Sequence, residues 1–183
     1  MQHFFRIVGW KNKYYIEFKG LKEGLHEYEF EVTDKFFEHF TEGLVEAGEV
    51  TVKVALEKRS SFLKLIFNIS GCVELECDRC LENYRQDIEF ETELFVKFGE
   101  EAEFDEGDNV IWVLPEEHHI NLTREIYEYI ILSIPLKHVH PDESGENSCN
   151  REMLDRLNNY GQPETEDEET IDPRWAALKN LKK

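Results

Sequence analysis

Two cysteines separated by two residues, Cys77 and Cys80, are the residues whose types and spacing most directly indicate chemistry. Such a pair at a reversal between two strands places both sulfurs on the inside of one tight turn, a geometry that tetrahedral zinc sites use. A structural zinc ion takes four ligands, and the loop 138–149 supplies further donors in His140 and Cys149. We therefore predict a structural zinc site formed by Cys77, Cys80, His140 and Cys149.

Other interpretations of the same residues stay open. Cys77 could be an ordinary core residue beside Leu75, with His140 forming only a hydrogen bond in its loop. A thiol redox pair would normally sit at the N-terminus of a helix within a βαβ unit, whereas strands precede and follow this pair. A zinc deaminase would place a proline before the first cysteine, and none precedes Cys77. The alternative to a structural site is thus a cysteine-based enzyme, either zinc-dependent or redox-active.

The segments around the cysteine pair are predicted to be strands. Val73, Leu75 and Cys77 alternate with polar residues, and apolar residues alternate in the same way along 88–98. We expect these two strands to pair in antiparallel fashion across Cys77–Cys80. Ser70 and Gly71 are predicted to separate an earlier strand from the first of them. Cys72 falls on the opposite strand face from Cys77, so it is predicted to lie outside the site.

The remaining patterns predict an α+β fold. Strand alternation recurs around residues 14–18, 28–32, 50–56 and 110–114, and Asn121 is placed to cap a helix over 122–133. A further short helix is predicted near 153–160, ending at Gly161. We expect an antiparallel sheet, either open or barrel-like, with a packed helix and a helical C-terminal tail.

Length and composition favour one α+β domain over residues 1–161, followed by a separate tail over 162–183. The tail begins with an acidic tether. Asp172 and Pro173 then suit a helix start, and Trp175, Leu178 and Leu181 share one face of that helix.

The charge balance restricts the class of partner. Lys and Arg number 21 against 40 Asp and Glu, giving a net charge of −19. An extended nucleic-acid surface needs clustered basic residues, so basic proteins are the partners that the charge favours. No apolar run approaches the roughly 20 residues of a membrane-spanning helix, and the N-terminus lacks a secretory pattern. We expect a cytoplasmic protein with no membrane contact.

Three blocks of sequence carry a family resemblance. They contain Cys77-Asp78-Arg79-Cys80, then Ile134-Pro135 followed by Val139-His140 and Cys149, then Asp172-Pro173 followed by Leu178. In order and spacing these blocks resemble the YceD-like proteins required for accumulation of large-subunit ribosomal RNA. The resemblance implies a non-enzymatic factor that supports ribosome assembly.

Combined with the net charge, this resemblance leads to a hypothesis about partners. The protein would bind a large ribosomal subunit precursor or a basic ribosomal protein, with at most limited direct contact to rRNA. The residues predicted to contact the partner are Arg79, Arg174, Trp175, Leu178 and Leu181. A small RNA-binding patch is a separate hypothesis, and it would consist of Arg79, Arg85, Lys97 and Arg124.

Overall fold

The computed structural model describes residues 13–40, 43–99, 109–141 and 148–161, which form an α+β structure as predicted. The elements in chain order are β1 (Tyr15–Glu17), β2 (Gly24–Val32), α1 (Asp34–Phe37), β3 (Gly48–Lys58), β4 (Phe62–Glu76), β5 (Asn83–Phe98), β6 (Val110–Val113), β7 (His119–Asn121), α2 (Thr123–Leu132) and α3 (Arg151–Gly161). The predicted tail residues Arg174, Trp175, Leu178 and Leu181 lie outside the described residues.

The main sheet contains five strands in the order β2-β3-β4-β5-β6. β2 to β5 are antiparallel neighbours, as predicted, but β6 pairs parallel to β5, with Phe95 opposite Val110. The prediction of a purely antiparallel sheet is therefore wrong at this edge. Parallel neighbours require the chain that leaves β5 to cross back as far as Phe95 before it re-enters the sheet. Within the described ranges β2 and β6 are the two edges of an open sheet, so the barrel form is not confirmed.

β4 is one continuous strand of 15 residues, so the predicted break at Ser70 and Gly71 is wrong. Gly71 instead allows β4 to approach β3 closely, with φ of 153°. A Cβ atom at this position would lie 2.3 Å from the carbonyl oxygen of Glu49 and 2.7 Å from Cα of Val50. Glycine is thus required here for backbone conformation and contact, and the strand continues through it.

The inner face of the sheet carries the hydrophobic core. Leu65 and Phe67 of β4 are fully buried there, together with alternate residues of β3 and β5. Helix α2 covers this face, and the ring of Tyr129 meets that of Phe67 edge to face at 5.1 Å. The helix at 122–133 was predicted almost to the residue, and Asn121 Oδ1 accepts the Thr123 N–H at 3.0 Å.

A small second sheet closes one side of the core. β1 pairs with β7 in antiparallel fashion, with Ile16 opposite Ile120 and both side chains buried. The sequence patterns had not indicated β7, because three residues are too few to show alternation. In the described part of the chain, no helix has the length and apolar character needed to cross a membrane.

Candidate metal centre

The cysteine turn, Cys77–Cys80, connects β4 to β5. The N–H of Leu81 donates to the carbonyl oxygen of Cys77 at 2.9 Å, and the N–H of Cys77 donates to that of Glu82 at 3.0 Å. Leu81 has φ of 61°, a left-handed conformation that reverses the chain directly after Cys80. Antiparallel pairing resumes with Glu76 opposite Asn83. The turn is therefore closed by backbone hydrogen bonds before any metal is considered.

The loop after α2 is fixed to this turn by two reciprocal hydrogen bonds. The N–H of Asp78 donates to the carbonyl oxygen of His138 at 2.7 Å, and the N–H of His138 donates to Asp78 Oδ2 at 2.7 Å. Further along the chain, Asn150 Nδ2 donates to Glu82 Oε1 at 2.7 Å. These contacts bring His140 and Cys149, which follow α2 in the chain, next to the cysteine turn.

The four predicted ligand residues converge. Their donor atoms all lie within 4.8 Å of one another, and we refer to Cys77, Cys80, His140 and Cys149 as the cysteine–histidine cluster. Cys77 Sγ lies 3.7 Å from Cys149 Sγ. His140 Nδ1 lies 3.6 Å from Cys80 Sγ and 3.5 Å from Cys149 Sγ. The structure thus places every one of these predicted residues in a single group.

The spacing of the donor atoms fits a tetrahedral zinc ion. Zinc bonds of about 2.3 Å to sulfur and about 2.0 Å to nitrogen imply tetrahedral edges of roughly 3.8 Å between sulfurs and roughly 3.5 Å between sulfur and nitrogen. Three of the six separations among the four donor atoms, at 3.7, 3.6 and 3.5 Å, match these edges, and all six lie within 4.8 Å. They do not match a disulfide, whose sulfurs lie about 2.05 Å apart, and all four cysteines are free.

The cluster is closed to solvent. The exposed fraction is 0% for Cys77, 2% for Cys80 and 6% for both His140 and Cys149. The ring of Tyr84 lies beside that of His140, with 5.0 Å between their centroids. The four donors therefore form a buried group that is close enough to hold a metal ion.

The protein environment favours negative charge at Cys77. Burial raises the pKa of the Cys77 thiol, but the N–H groups of Arg79, Cys80 and His140, together with the His140 side chain, outweigh burial and lower this pKa to about 5. Burial and the neighbouring Cys77 and Cys80 sulfurs raise the pKa of Cys149 to about 11. Without a cation, deprotonation of more than one cysteine of the cluster is therefore unfavourable. A bound cation would neutralise the negative charge of the thiolates and so favour their formation.

Cys72 is separate from the cluster, as predicted. It lies half-buried on the other face of β4, where Arg85 Nη2 approaches its sulfur at 2.7 Å. The Cys77 thiol is buried and the Cys72 thiol is partly exposed. This difference agrees with the alternation of side chains, which places the two residues on opposite faces of the strand.

Two of the basic residues predicted as an RNA patch, Arg85 and Lys97, are not brought together. Arg85 and Lys97 stand near opposite ends of β5, about 40 Å apart along an extended strand. Arg85 contacts Glu49 at 3.4 Å, and Arg124 contacts Glu128 at 2.6 Å. Arg79 lies half-buried between Cys77 and Cys80 in the cysteine turn, and its Nε atom has no hydrogen-bond partner within the described ranges.

A family model described as "Large ribosomal RNA subunit accumulation protein YceD" matches residues 65–182, well over half of the chain. The chain belongs to the YceD family. The matched region of this YceD protein begins in β4 and contains all four residues of the cysteine–histidine cluster. The family's name associates it with accumulation of large-subunit ribosomal RNA. Searches among curated proteins and among solved structures each find no match.

Asp78 is a residue next to the cysteine–histidine cluster whose positioning role the sequence did not predict. Its carboxylate and its N–H both bind His138, so it positions the loop without being a ligand. The available signal was an aspartate within a tight turn, since such side chains commonly accept backbone N–H groups. Nothing in the sequence identified residue 138 as its partner, 60 positions away.

Proposed function

We propose that this protein is a non-enzymatic factor that supports accumulation of large-subunit ribosomal RNA and ribosome assembly, by binding a basic ribosomal protein or a large-subunit precursor. The observation that carries the proposal is the YceD family match over residues 65–182. The closed cysteine–histidine cluster inside that region supports a structural role for its residues.

Cys77, Cys80, Cys149 and His140 Nδ1 would hold a zinc ion in the proposed site. When bound, zinc supplies a cross-link among three separate stretches of chain and neutralises thiolate charge. The chain's own part is to assemble the donors, through the cysteine turn and through the Asp78–His138 hydrogen bonds. In this proposal the centre fixes a surface and performs no reaction.

A cysteine-based enzyme is the weaker candidate. A catalytic zinc keeps one position for water or substrate, whereas four protein donors here would occupy all of them. A redox thiol needs access to its reductant, and Cys77 is 0% exposed. The low pKa of Cys77 is compatible with metal binding as well as with reactivity, so it does not favour an enzyme.

The partner surfaces remain part of the proposal. Arg79 lies half-buried in the cysteine turn, and we propose that it is one of the residues that contact the partner. We further propose that residues 1–161 form the domain and 162–183 a tail, in which Arg174, Trp175, Leu178 and Leu181 contact the partner. Ribosome assembly would place the protein in the cytoplasm, with direct rRNA contact limited by the net charge of −19.

Depletion of the protein tests the proposed function. We expect the ratio of large-subunit to small-subunit rRNA to fall, and a plasmid copy of the wild-type chain to restore it. A copy truncated after Gln162 should restore it poorly if the tail contacts the partner. An unchanged rRNA ratio after full depletion would contradict the function, whereas full rescue by the truncated copy would contradict only the role of the tail.

A further inference from the structure

The outer face of the main sheet, which points away from the core, carries an ordered arrangement of charge. Three successive rows of residues cross β2, β3, β4 and β5, and each begins and ends with glutamate. The rows are Glu27–Ala55–Ile66–Glu93, Glu29–Lys53–Asn68–Glu91 and Glu31–Thr51–Ser70–Glu89. This register produces a β2 column (Glu27, Glu29 and Glu31) and a β5 column (Glu89, Glu91 and Glu93).

The dimensions of the arrangement follow from sheet geometry. Neighbouring strands lie about 4.8 Å apart, so the two columns are separated by roughly 14 Å across three strand spacings. Glutamates within one column are about 7 Å apart, because they are alternate residues of a strand. The residues between the columns are short or neutral, apart from Lys53. The outer face is therefore a shallow strip bordered by two lines of carboxylates.

The charge of this strip is mostly uncompensated. Glu93 pairs with Lys64 at 2.6 Å. In the described part of the chain, the carboxylates of Glu27, Glu29, Glu89 and Glu91 have no ion pair or hydrogen bond, and all four side chains are exposed. Carboxylates repeated at alternate positions repel one another without stabilising the sheet. Cations from another molecule would relieve that repulsion.

We propose that the outer face docks a lysine- and arginine-rich polypeptide segment of a partner protein. An α-helix with its side chains is about 10–12 Å wide, which fits between columns roughly 14 Å apart and lets basic side chains reach both. The proposal rests on the proposed function, since a basic ribosomal protein is a partner of this chemistry. It adds the surface that binds the partner and the residues that recognise it.

The negative charge of the outer face also favours a basic polypeptide segment over other macromolecules. Phosphates of an RNA would face two lines of carboxylates, and a second copy of this chain would bring the same carboxylates against them. Both would be repelled. The buried cysteine–histidine cluster lies beyond the end of β4, outside the three rows that form this face.

A charge-matched pair of triple variants tests the docking face. The face variant carries Glu29→Gln, Glu89→Gln and Glu91→Gln, and the control variant carries Glu116→Gln, Glu117→Gln and Asp155→Asn. All six residues are exposed, and the control residues lie in the loop after β6 and on α3. Both variants change the net charge equally, so any difference between them reports position rather than overall charge.

The probe is a fluorescent 20-residue helical peptide containing alternating pairs of lysine and arginine among alanines. We expect the face variant to bind it about tenfold more weakly than the wild-type chain, since each exposed ion pair contributes roughly a two- to threefold effect. The control variant should bind within about twofold of wild type. Equal weakening by both variants, unchanged binding by the face variant, or tighter binding of an RNA hairpin than of the peptide would overturn the proposal.

Rescue in depleted cells distinguishes failure of the docking face from failure of the proposed function. We expect the control variant, but not the face variant, to restore large-subunit rRNA. If both variants restore it, the docking face is wrong and the function stands. If depletion leaves rRNA unchanged while the peptide still discriminates between the variants, the function is wrong and the basic-segment surface stands.

Discussion

Asp78 and the residues of the cysteine–histidine cluster have different tasks in the same small volume. Cys77, Cys80, His140 and Cys149 present donor atoms within 4.8 Å of one another. Asp78 fixes the distance between turn and loop by accepting the His138 N–H at 2.7 Å. Donor type determines which ion fits, and the positioning hydrogen bonds determine whether the donors meet at all.

Metal content should follow the cluster residues and no other cysteine. We expect one zinc per purified wild-type chain, and a much lower content in Cys80→Ser and Cys149→Ser, because each removes a thiolate ligand. Elemental mass spectrometry on metal-equilibrated protein measures it. Cys72→Ser is the matched control, since Cys72 is a free thiol outside the cluster. Loss of zinc from Cys72→Ser would contradict the assignment, and so would the absence of zinc from the wild-type chain.

Glu125 on α2 should make stability depend on pH. Burial raises the pKa of its carboxyl, and Oε2 has no hydrogen-bond partner among the described residues. A raised folded-state pKa means that the neutral form favours folding. This contribution is therefore intact below the unfolded pKa of about 4.3 and is lost as the pH rises through the folded-state value.

Glu125→Gln removes this dependence, because glutamine stays neutral. We expect its melting temperature to exceed that of wild type by about 2 °C at pH 8, with the difference disappearing near pH 4. Thermal unfolding of both chains at the two pH values measures the difference. A variant that is equally or less stable at pH 8 would show that the carboxylate is accommodated in the folded protein.

At the level of elements, β4 depends on the glycine in its middle. Gly71→Ala would place a methyl group 2.3 Å from the carbonyl oxygen of Glu49, a contact with backbone that no rotamer change can relieve. We expect a loss of at least about 2 kcal/mol in the free energy of unfolding, measured by urea denaturation. Gly20→Ala is the control, as nothing lies within 4 Å there, and it should change stability by less than about 0.5 kcal/mol. Similar effects for both variants would show that β3 and β4 can separate at no cost.

The loop and α3 should respond to metal removal more than the sheet does. If zinc joins the cysteine turn to 138–149, a strong chelator will increase amide hydrogen exchange in 136–141 and 148–161. Exchange in β3 and β4 should change little, because their backbone hydrogen bonds and buried side chains do not involve the cluster. Uniform acceleration along the chain, or none, would contradict a local role.

These elements also show how far sequence reasoning extends. The strands β3, β4 and β5 and helix α2 were predictable, because their alternation or helical stripe is long enough to identify both the element and its buried face. The convergence of the four residues of the cysteine–histidine cluster was predictable from donor types in one turn and one loop. The parallel pairing of β6, the short β7 and the continuity through Gly71 depend on long-range contacts that no local pattern contains.

At the scale of the whole molecule, charge and family membership point in one direction. A net charge of −19 disfavours coating RNA, and the two glutamate columns concentrate unpaired carboxylates on one open sheet face. The YceD match covers the cysteine–histidine cluster and the strands that support it. Together they support the proposal that this protein acts on ribosome assembly through a protein partner, with a bound metal ion maintaining the shape of the cysteine turn and its loop.

Sedimentation of cell extract tests this central claim most directly. After separation on a sucrose gradient, the protein is detected in each fraction at low salt and again at high salt. We expect the protein to travel with large-subunit precursors at low salt and to be released as salt screens its carboxylates. Recovery of the protein only at the top of the gradient under both conditions, while precursors are present below, would contradict it.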